Sequence, residues 1–107
     1  MKFEKELNKI LKRLIQKYKL EKVILFGSLN SNPNHANDID LFIIKNNVPK
    51  LRRKRTFELD SLFLDREVAI DFIVYSSNEV EKALKLKSPV ITDIINTGKV
   101  LYERNYA

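Results

Sequence analysis

Apolar residues recur along this chain with two different periods, and the periods alternate from one segment to the next. In residues 2–19 they recur at helical spacing and fall on one stripe of a helix, opposite a face of lysines and Arg13. The segment 23–26 is shorter and wholly apolar, which is typical of a buried strand. The pattern therefore predicts a fold that starts with a helix and a buried strand.

The rest of the chain continues this alternation. Residues 28–37 are polar and rich in turn formers, with a single helical turn predicted directly after Gly27. Further elements are predicted as strands over 38–44, 68–75 and 100–102, the last at a sheet edge, and as helices over 50–64, 78–87 and 89–98. The helix boundaries rest on proline, glycine and capping residues: Pro49 before the first, Ser77 or Asn78 before the second, and Pro89 and Gly98 around the third.

This order of elements predicts the fold class. Strands that alternate with helices indicate an α/β or α+β domain, in which a small mixed β-sheet is flanked by helices. The chain has 107 residues, of which 44% are hydrophobic, so we expect a single domain over residues 1–107 with one core. A domain this small buries a limited share of its surface, which favours a homo- or hetero-oligomer.

Composition excludes several kinds of site. The chain has no cysteine and one histidine, so disulfide scaffolds and cysteine-based zinc sites are excluded and histidine triads are poorly supplied. A cysteine-free chain suits a reducing compartment, and we expect a cytoplasmic location. No apolar run approaches the roughly 20 residues that a membrane helix needs, so no membrane association is expected.

The charge balance suits a polyanionic ligand. Lysine and arginine number 20 against 14 acidic residues, a net charge of +6, which fits a nucleotide or a nucleic acid. Five basic residues cluster after Pro49, and a solvated helix face is favoured over a nucleic-acid site for them: Lys50, Arg52, Arg53, Lys54 and Arg55. His35 is likewise expected to be a solvated loop side chain.

Asp38 and Asp40 are the first candidates for chemistry. Residues two apart in a strand point to the same face, so both carboxylates project side by side near the start of the strand predicted at 38–44. Two carboxylates this close repel each other, and their burial is costly without a counter-cation. Magnesium favours carboxylate oxygens and also binds substrate phosphates, so the pair indicates a magnesium site.

Asp71 lies between Ile70 and Phe72 in the most apolar run of the chain. An aspartate inside such a strand is disfavoured by propensity and by desolvation, so it should have a partner. If the strand at 68–75 lies beside the strand at 38–44, Asp71 joins the same cluster. Three carboxylates on adjacent strands can hold two metal ions, which serve in-line phosphoryl or nucleotidyl transfer.

Gly27 and Ser28 follow the first predicted strand and precede a turn or helix start. Glycine allows the backbone to approach a phosphate closely, and the serine offers a hydroxyl and an N–H at a helix start, where anions are favoured. The pattern is neither the Walker P-loop nor the dinucleotide fingerprint, because both require more glycines.

These segments together resemble the minimal nucleotidyltransferase family, a compact branch of the polymerase β-like nucleotidyltransferase superfamily. The resemblance rests on ILFGS at 24–28, DIDLFII at 38–44, VAIDFIVY at 68–75 and PVITDIINTGKVLYE at 89–103. The family signature is Gly-Ser, a loop, Asp-x-Asp and a third carboxylate on a later strand. The resemblance implies the polymerase β-like nucleotidyltransferase fold over nearly the whole chain.

The resemblance also implies an activity, namely transfer of a nucleoside monophosphate, with ATP as the expected donor, to an acceptor hydroxyl. Asp38 and Asp40 would bind Mg²⁺, and Asp71 would bind the metal beside the acceptor and help to deprotonate that hydroxyl. Gly27 and Ser28 would contact the triphosphate. Many such domains resemble one half of a toxin–antitoxin pair, in which the antitoxin in some cases adenylylates a tyrosine of a helical HEPN toxin.

The loop after Ser28 departs from the family pattern. Family members often carry an Ala-Arg-Gly-like stretch where this chain has Asn30-Ser31-Asn32, and Asn37 stands where a serine is common. Because the arginine is missing, one alternative is a catalytically weak or inactive module that neutralises a HEPN partner by binding alone. Another is a transferase that acts on a small molecule or an RNA end. The nucleotide base, the acceptor and the oligomeric state stay open.

Overall fold

The computed structural model describes residues 3–105, so Lys2, which the first predicted helix included, lies outside the described part. The elements follow in the order α1 (Glu4–Lys17), β1 (Lys22–Phe26), α2 (Ser28–Ser31), a 3-10 turn (Pro33–His35), β2 (Asp38–Ile44), α3 (Arg52–Leu62), β3 (Ala69–Tyr75), α4 (Ser77–Lys85), α5 (Pro89–Thr97) and β4 (Lys99–Glu103). Every predicted element is present, including the helical turn after Gly27 and the short last strand. Within residues 3–105, no helix combines the length and the apolar character needed to cross a membrane.

The four strands form one sheet in the order β3-β2-β1-β4. β1 pairs antiparallel with both β2 and β4, whereas β3 pairs parallel with β2, so the predicted mixed sheet is confirmed. A parallel pair needs a crossover connection, and α3 supplies it between β2 and β3. β3 and β4 are the two edge strands, which confirms the edge position predicted for the last strand.

Helices cover both faces of the sheet because alternate strand residues point to opposite sides. On one face, Ile39, Leu41 and Ile43 of β2 join a buried cluster with residues of α1 and α3, and Leu14 and Leu59 there are fully buried. On the other face, Phe42 packs in a second cluster with residues of α4 and α5. Each fully buried aliphatic or aromatic side chain contributes about 1.5–3 kcal/mol, so both faces stabilise the sheet.

Two helix starts differ from their predicted positions. α3 begins at Arg52 rather than directly after Pro49, with Leu51 in extended conformation as its N-cap. Ser76, and not Ser77 or Asn78, caps α4, because its hydroxyl accepts the N–H of Glu79 while the Glu79 carboxylate accepts the N–H of Ser76. This reciprocal pair is a capping box, which satisfies two backbone donors that the helix start would otherwise leave unpaired.

Arg55 corrects the prediction of a solvated basic face on this helix. Its side chain is only 3% exposed, whereas Lys50, Arg52, Arg53 and Lys54 are exposed as expected. The guanidinium donates to the carbonyls of Pro49 and Val74 and forms a two-pronged ion pair with Glu79. A buried cation is tolerated here because these partners replace its water.

Candidate functional site

The start of β2 places Asp38 and Asp40 on one face of the sheet, and both side chains are half-buried. They share this face with Phe42, which packs in the cluster formed with α4 and α5. Asp40 also lies opposite Phe26, the last residue of β1, in the antiparallel register. The pair of carboxylates therefore projects as predicted from the pleat, at the end of the sheet where β1 ends and β2 begins.

Asp71 joins them through the parallel pairing of β2 and β3. The register sets Asp71 directly beside Asp40, and each of the three aspartates offers a carboxylate oxygen within 4.8 Å of those offered by the others. The predicted adjacency of the two strands is therefore confirmed. The predicted desolvation of Asp71 is wrong, because its side chain is exposed. Its apolar neighbours Ile70 and Phe72 point to the opposite face and are buried there instead.

The environment of Asp40 raises the pKa of its carboxyl. Its partial burial, the nearby charges of Asp38 and Asp71, and a hydrogen bond to Asp71 raise the pKa of the Asp40 carboxyl from 3.8 to about 6. At neutral pH the negative charge of Asp40 is therefore disfavoured by its burial and by the neighbouring carboxylates. Hard divalent cations prefer carboxylate oxygens and would relieve this repulsion, so the donor set fits Mg²⁺.

Gly27 lies against this cluster in a conformation that other residues rarely adopt. Its φ is +74°, and a Cβ added to it would overlap the Asp40 carboxylate, 2.9 Å from Cγ. Glycine is thus required here for two reasons, the backbone angle and the space that Asp40 occupies. The close approach of Gly27 brings the start of α2 next to the three carboxylates.

Ser28 is exposed and is the first residue of α2. The turn is closed by the carbonyl of Gly27, which accepts the backbone N–H and the hydroxyl of Ser31. The same carbonyl accepts the N–H of Asn30, so within α2 the N–H groups of Ser28 and Leu29 are the ones without a carbonyl partner, and anions are favoured at such a position. The Gly27–Ser28 backbone therefore lies where it could meet a phosphate bound to a cation at the carboxylates.

The loop from 29 to 37 is anchored at both ends. Leu29 and Ala36 are fully buried, while Asn30 donates through its side-chain amide to the carbonyl of Thr97, over 3.1 Å, at the end of α5. His35 is exposed in the 3-10 turn, as expected for a solvated loop histidine. The sequence did not predict that Asn30 and Ala36 anchor the loop, because neither an amide nor a small apolar residue stands out in a polar loop.

Of the three carboxylates, that of Asp71 is exposed, whereas those of Asp38 and Asp40 are half-buried. A cleft of about 180 Å³ opens elsewhere, between α1 and the segment after α3, and its lining includes Ile10, Arg13, Phe63 and Val68 but none of the three aspartates. Arg13 in that cleft is neutralised by Asp65, to which it is bound in a two-pronged ion pair. The cleft therefore includes none of the residues that the sequence predicts for chemistry.

Three clustered carboxylates beside a Gly-Ser turn, on a mixed sheet covered by helices, are an arrangement that suits phosphoryl or nucleotidyl transfer. The comparison with protein families makes this specific. The chain belongs to the family described as "Polymerase beta, Nucleotidyltransferase", whose model matches residues 8–107. It is therefore a nucleotidyltransferase, with the polymerase β-like fold that the sequence predicts.

Individual relatives point in the same direction. The chain is 32% identical over 117 residues to "Putative protein adenylyltransferase MJ1305" of Methanocaldococcus jannaschii, a match that covers 95% of this chain and 76% of that protein. A chain from a mutant of the toxin–antitoxin complex MntA–HpeT superposes with a TM-score of 0.60 at 25% identity, covering 92% of this chain and 73% of its own. A chain from a toxin–antitoxin crystal structure with AMP-PNP gives a TM-score of 0.57 at 27% identity, with the same coverage.

Proposed function

We propose that this chain is a Mg²⁺-dependent adenylyltransferase that modifies a tyrosine of a HEPN toxin and so acts as its antitoxin. The observation that carries this proposal is the convergence of Asp38, Asp40 and Asp71, whose carboxylate oxygens lie within 4.8 Å of one another beside Gly27. A set of three carboxylates next to a backbone suited to phosphate fits a nucleoside triphosphate and its magnesium ions.

The three aspartates would hold two Mg²⁺ ions. The raised pKa of Asp40 supports this role, because it reflects burial and repulsion that a bound cation would offset. When bound, the ions neutralise the triphosphate and stabilise charge on the attacking and leaving oxygens. Gly27 and Ser28 would hold the triphosphate through the backbone and hydroxyl at the start of α2.

The proposed transfer exchanges one bond for another at the α-phosphorus of ATP. The oxygen of the acceptor tyrosine forms a bond to this phosphorus, the bond from the phosphorus to the bridging oxygen breaks, and pyrophosphate leaves. The phenolic proton passes to Asp71, which is exposed and so accessible to an acceptor from outside.

The known relatives support the choice of donor and acceptor. One similar protein carries the name protein adenylyltransferase, which supports AMP transfer to a protein. Two similar structures carry names that describe a toxin–antitoxin, which supports a toxin as partner. One of them is described as a structure with AMP-PNP, which supports an ATP-like donor.

The test is incubation of the chain with α-labelled ATP, Mg²⁺ and a HEPN-domain protein from the same genome. We expect label on a tyrosine of the HEPN protein, and we expect Asp38→Asn and Asp40→Asn to abolish it. Asp93→Asn is the matched control, since Asp93 is an exposed aspartate on α5 outside the cluster. Equal labelling by all three variants would show that the aspartates are not the metal site.

A second candidate function is neutralisation of a HEPN partner by binding alone. The observation that favours it is the altered loop, in which Asn30 is bonded to Thr97 and no arginine is available between residues 29 and 37. This function predicts that Asp38→Asn leaves neutralisation of the toxin intact. Loss of neutralisation with retained complex formation would exclude it.

A further inference from the structure

β3 is an edge strand, so only one of its two sides is paired. The backbone N–H and C=O groups of alternate residues point toward β2 or away from the sheet. The N–H of Lys45 donates to the carbonyl of Tyr75, over 3.0 Å, so the backbone of Tyr75 faces β2. In a parallel pair, residues two apart along a strand face the same neighbour, so Asp71 also faces β2 through its backbone. The backbone groups of Ile70, Phe72 and Val74 therefore point away from the sheet.

Arg55 closes one end of this edge. Its guanidinium donates to the outward carbonyl of Val74 over 3.0 Å, which also confirms the direction of the alternation. Among residues 3–105, no hydrogen bond engages the outward backbone groups of Ile70 or Phe72. The open part of the edge is therefore the part that flanks Asp71.

We propose that the acceptor protein docks as an extended segment that pairs with this open edge and adds a fifth strand to the sheet. The proposal rests on the proposed transfer to a protein hydroxyl and names the way in which that acceptor is held. The unpaired backbone donors and acceptors of Ile70 and Phe72 supply the hydrogen bonds, as sheet edges do for bound peptides.

The register of such a strand would deliver the hydroxyl to the carboxylates. Paired strands lie about 4.8 Å apart, and residues opposite each other project to the same face. A hydroxyl residue opposite Asp71 would therefore project on the face that carries all three aspartates. Its immediate neighbours would project to the other face, beside the buried side chains of Ile70 and Phe72.

A second copy of this chain is a poorer occupant of the edge. Pairing β3 with its copy would bring a second acidic cluster next to the first, and like charges across paired strands are destabilising. The three carboxylates of one copy already lie within 4.8 Å of one another. An acceptor strand with a neutral hydroxyl residue opposite Asp71 avoids this repulsion.

The test uses proline at a position where only the outward N–H is lost. Ile70→Pro removes the outward donor of Ile70 and leaves the pairing with β2 intact, since proline is tolerated in an edge strand with that side facing solvent. Ile70→Ala is the matched control, because it removes the same buried side chain but keeps the N–H. We expect at least about tenfold slower labelling of the HEPN protein by Ile70→Pro than by Ile70→Ala, with equal binding of AMP-PNP.

Hydrogen exchange on the unsubstituted chain gives a second measurement that does not depend on catalysis. With the HEPN protein and AMP-PNP present, the amides of Ile70 and Phe72 should gain at least about tenfold protection, whereas those of Asp71 and Ile73 should change little. Protection without label transfer would refute the proposed activity and leave the docking mode standing. Label transfer without protection at Ile70 and Phe72, or protection that appears in the chain alone and rises with its concentration, would overturn the docking proposal.

Discussion

The carboxylate of Asp40 lies against the α-carbon of Gly27, with no room for a side chain between them. A Cβ on Gly27 would lie 2.9 Å from Cγ of Asp40 and would overlap its oxygen. The antiparallel pairing of Phe26 with Asp40 produces this contact, because it brings the residue after β1 beside the start of β2. The Gly27–Ser28 turn and the acidic cluster thus meet at one pair of residues, Gly27 and Asp40.

Gly27→Ala should therefore damage both the fold and the site. The backbone at φ +74° and ψ −159° costs a non-glycine residue about 2 kcal/mol, and the new methyl group must displace Asp40. We expect the free energy of unfolding to fall by at least this amount. Label transfer should fall by about 100-fold, because displacement of a catalytic group by about 1 Å has that effect.

An Asp40→Ala background separates the two causes. There the Asp40 carboxylate is gone, so Gly27→Ala should cost less stability than in the unsubstituted protein, with only the backbone penalty left. Equal costs of Gly27→Ala in the two backgrounds, measured by denaturant unfolding, would show that Asp40 does not limit the space at Gly27.

Asp40→Asn should stabilise the metal-free protein at neutral pH. The pKa of Asp40 is raised from 3.8 to about 6, so the ionised carboxylate destabilises the fold above pH 6, while below pH 3.8 it is protonated in both states and costs nothing. The advantage of the variant should grow between these values. We expect it to reach about 1 kcal/mol, a figure reduced for solvent screening of a partly exposed group.

This comparison requires unfolding curves from pH 3.5 to pH 7.5 in the presence of a chelator. A difference that stays constant with pH would contradict the raised pKa. Added Mg²⁺ should reverse the order of stability, because only the unsubstituted protein keeps the complete set of carboxylates for the cation.

Most of this site could be predicted from local sequence, and the rest required the order of the strands. The two-residue repeat of a strand is enough to place Asp38 and Asp40 together. The exposure of Asp71 could not be predicted, because its neighbours in sequence are apolar while β3 proves to be an edge strand whose Asp71 face is open. Strand order depends on contacts between distant segments, which periodicity does not contain.

The same holds for the fold: local sequence predicts the elements, whereas contacts between distant segments decide which side chains are buried. Helix and strand periods identified the four strands and the longer helices, and Pro89 and Gly98 bound α5 as predicted, whereas the 3-10 turn at Pro33–His35 was not predicted. Arg55 was assigned to a solvated face because its neighbours in sequence are basic, yet its partners Val74 and Glu79 lie 19 and 24 residues away. A cation's burial is decided by such distant partners, so composition alone misplaced it.

Asp71→Asn should separate catalysis from nucleotide binding. Asp71 is exposed on the edge strand, on the acceptor side of the cluster in the proposed function, whereas Asp40 lies between the other two carboxylates and Gly27. We expect Asp71→Asn to lower kcat by about 100-fold or more while AMP-PNP affinity changes little, since it removes an interaction used in the reaction rather than in binding. Asp40→Asn should weaken both. Calorimetric titration measures the affinity for AMP-PNP, and label transfer measures kcat. If Asp71→Asn lowered both to the same extent, the assignment of Asp71 to the reaction rather than to nucleotide binding would be contradicted.

Arg55→Ala should unfold the protein far more readily than Arg53→Ala. Arg55 is buried and joins the Pro49 carbonyl, the Val74 carbonyl and the Glu79 carboxylate, and its removal leaves buried acceptors without a donor. We expect a loss of about 3 kcal/mol, against about 0.5 kcal/mol or less for the exposed Arg53. Arg55→Lys should recover only part of this loss, because lysine lacks the planar fork that reaches all three partners.

The pH dependence of this ion pair gives an independent check. The hydrogen bond from Arg55 lowers the pKa of Glu79 from 4.5 to about 2, so the stabilisation is complete above pH 4.5 and is lost as the pH falls toward 2. Arg55→Ala should therefore lose less stability, relative to the unsubstituted protein, at pH 2.5 than at pH 7. Denaturant unfolding at the two pH values measures this difference. An equal loss at both would mean that Arg55 stabilises the fold through the carbonyls of Pro49 and Val74 alone, without a contribution from the charge of Glu79.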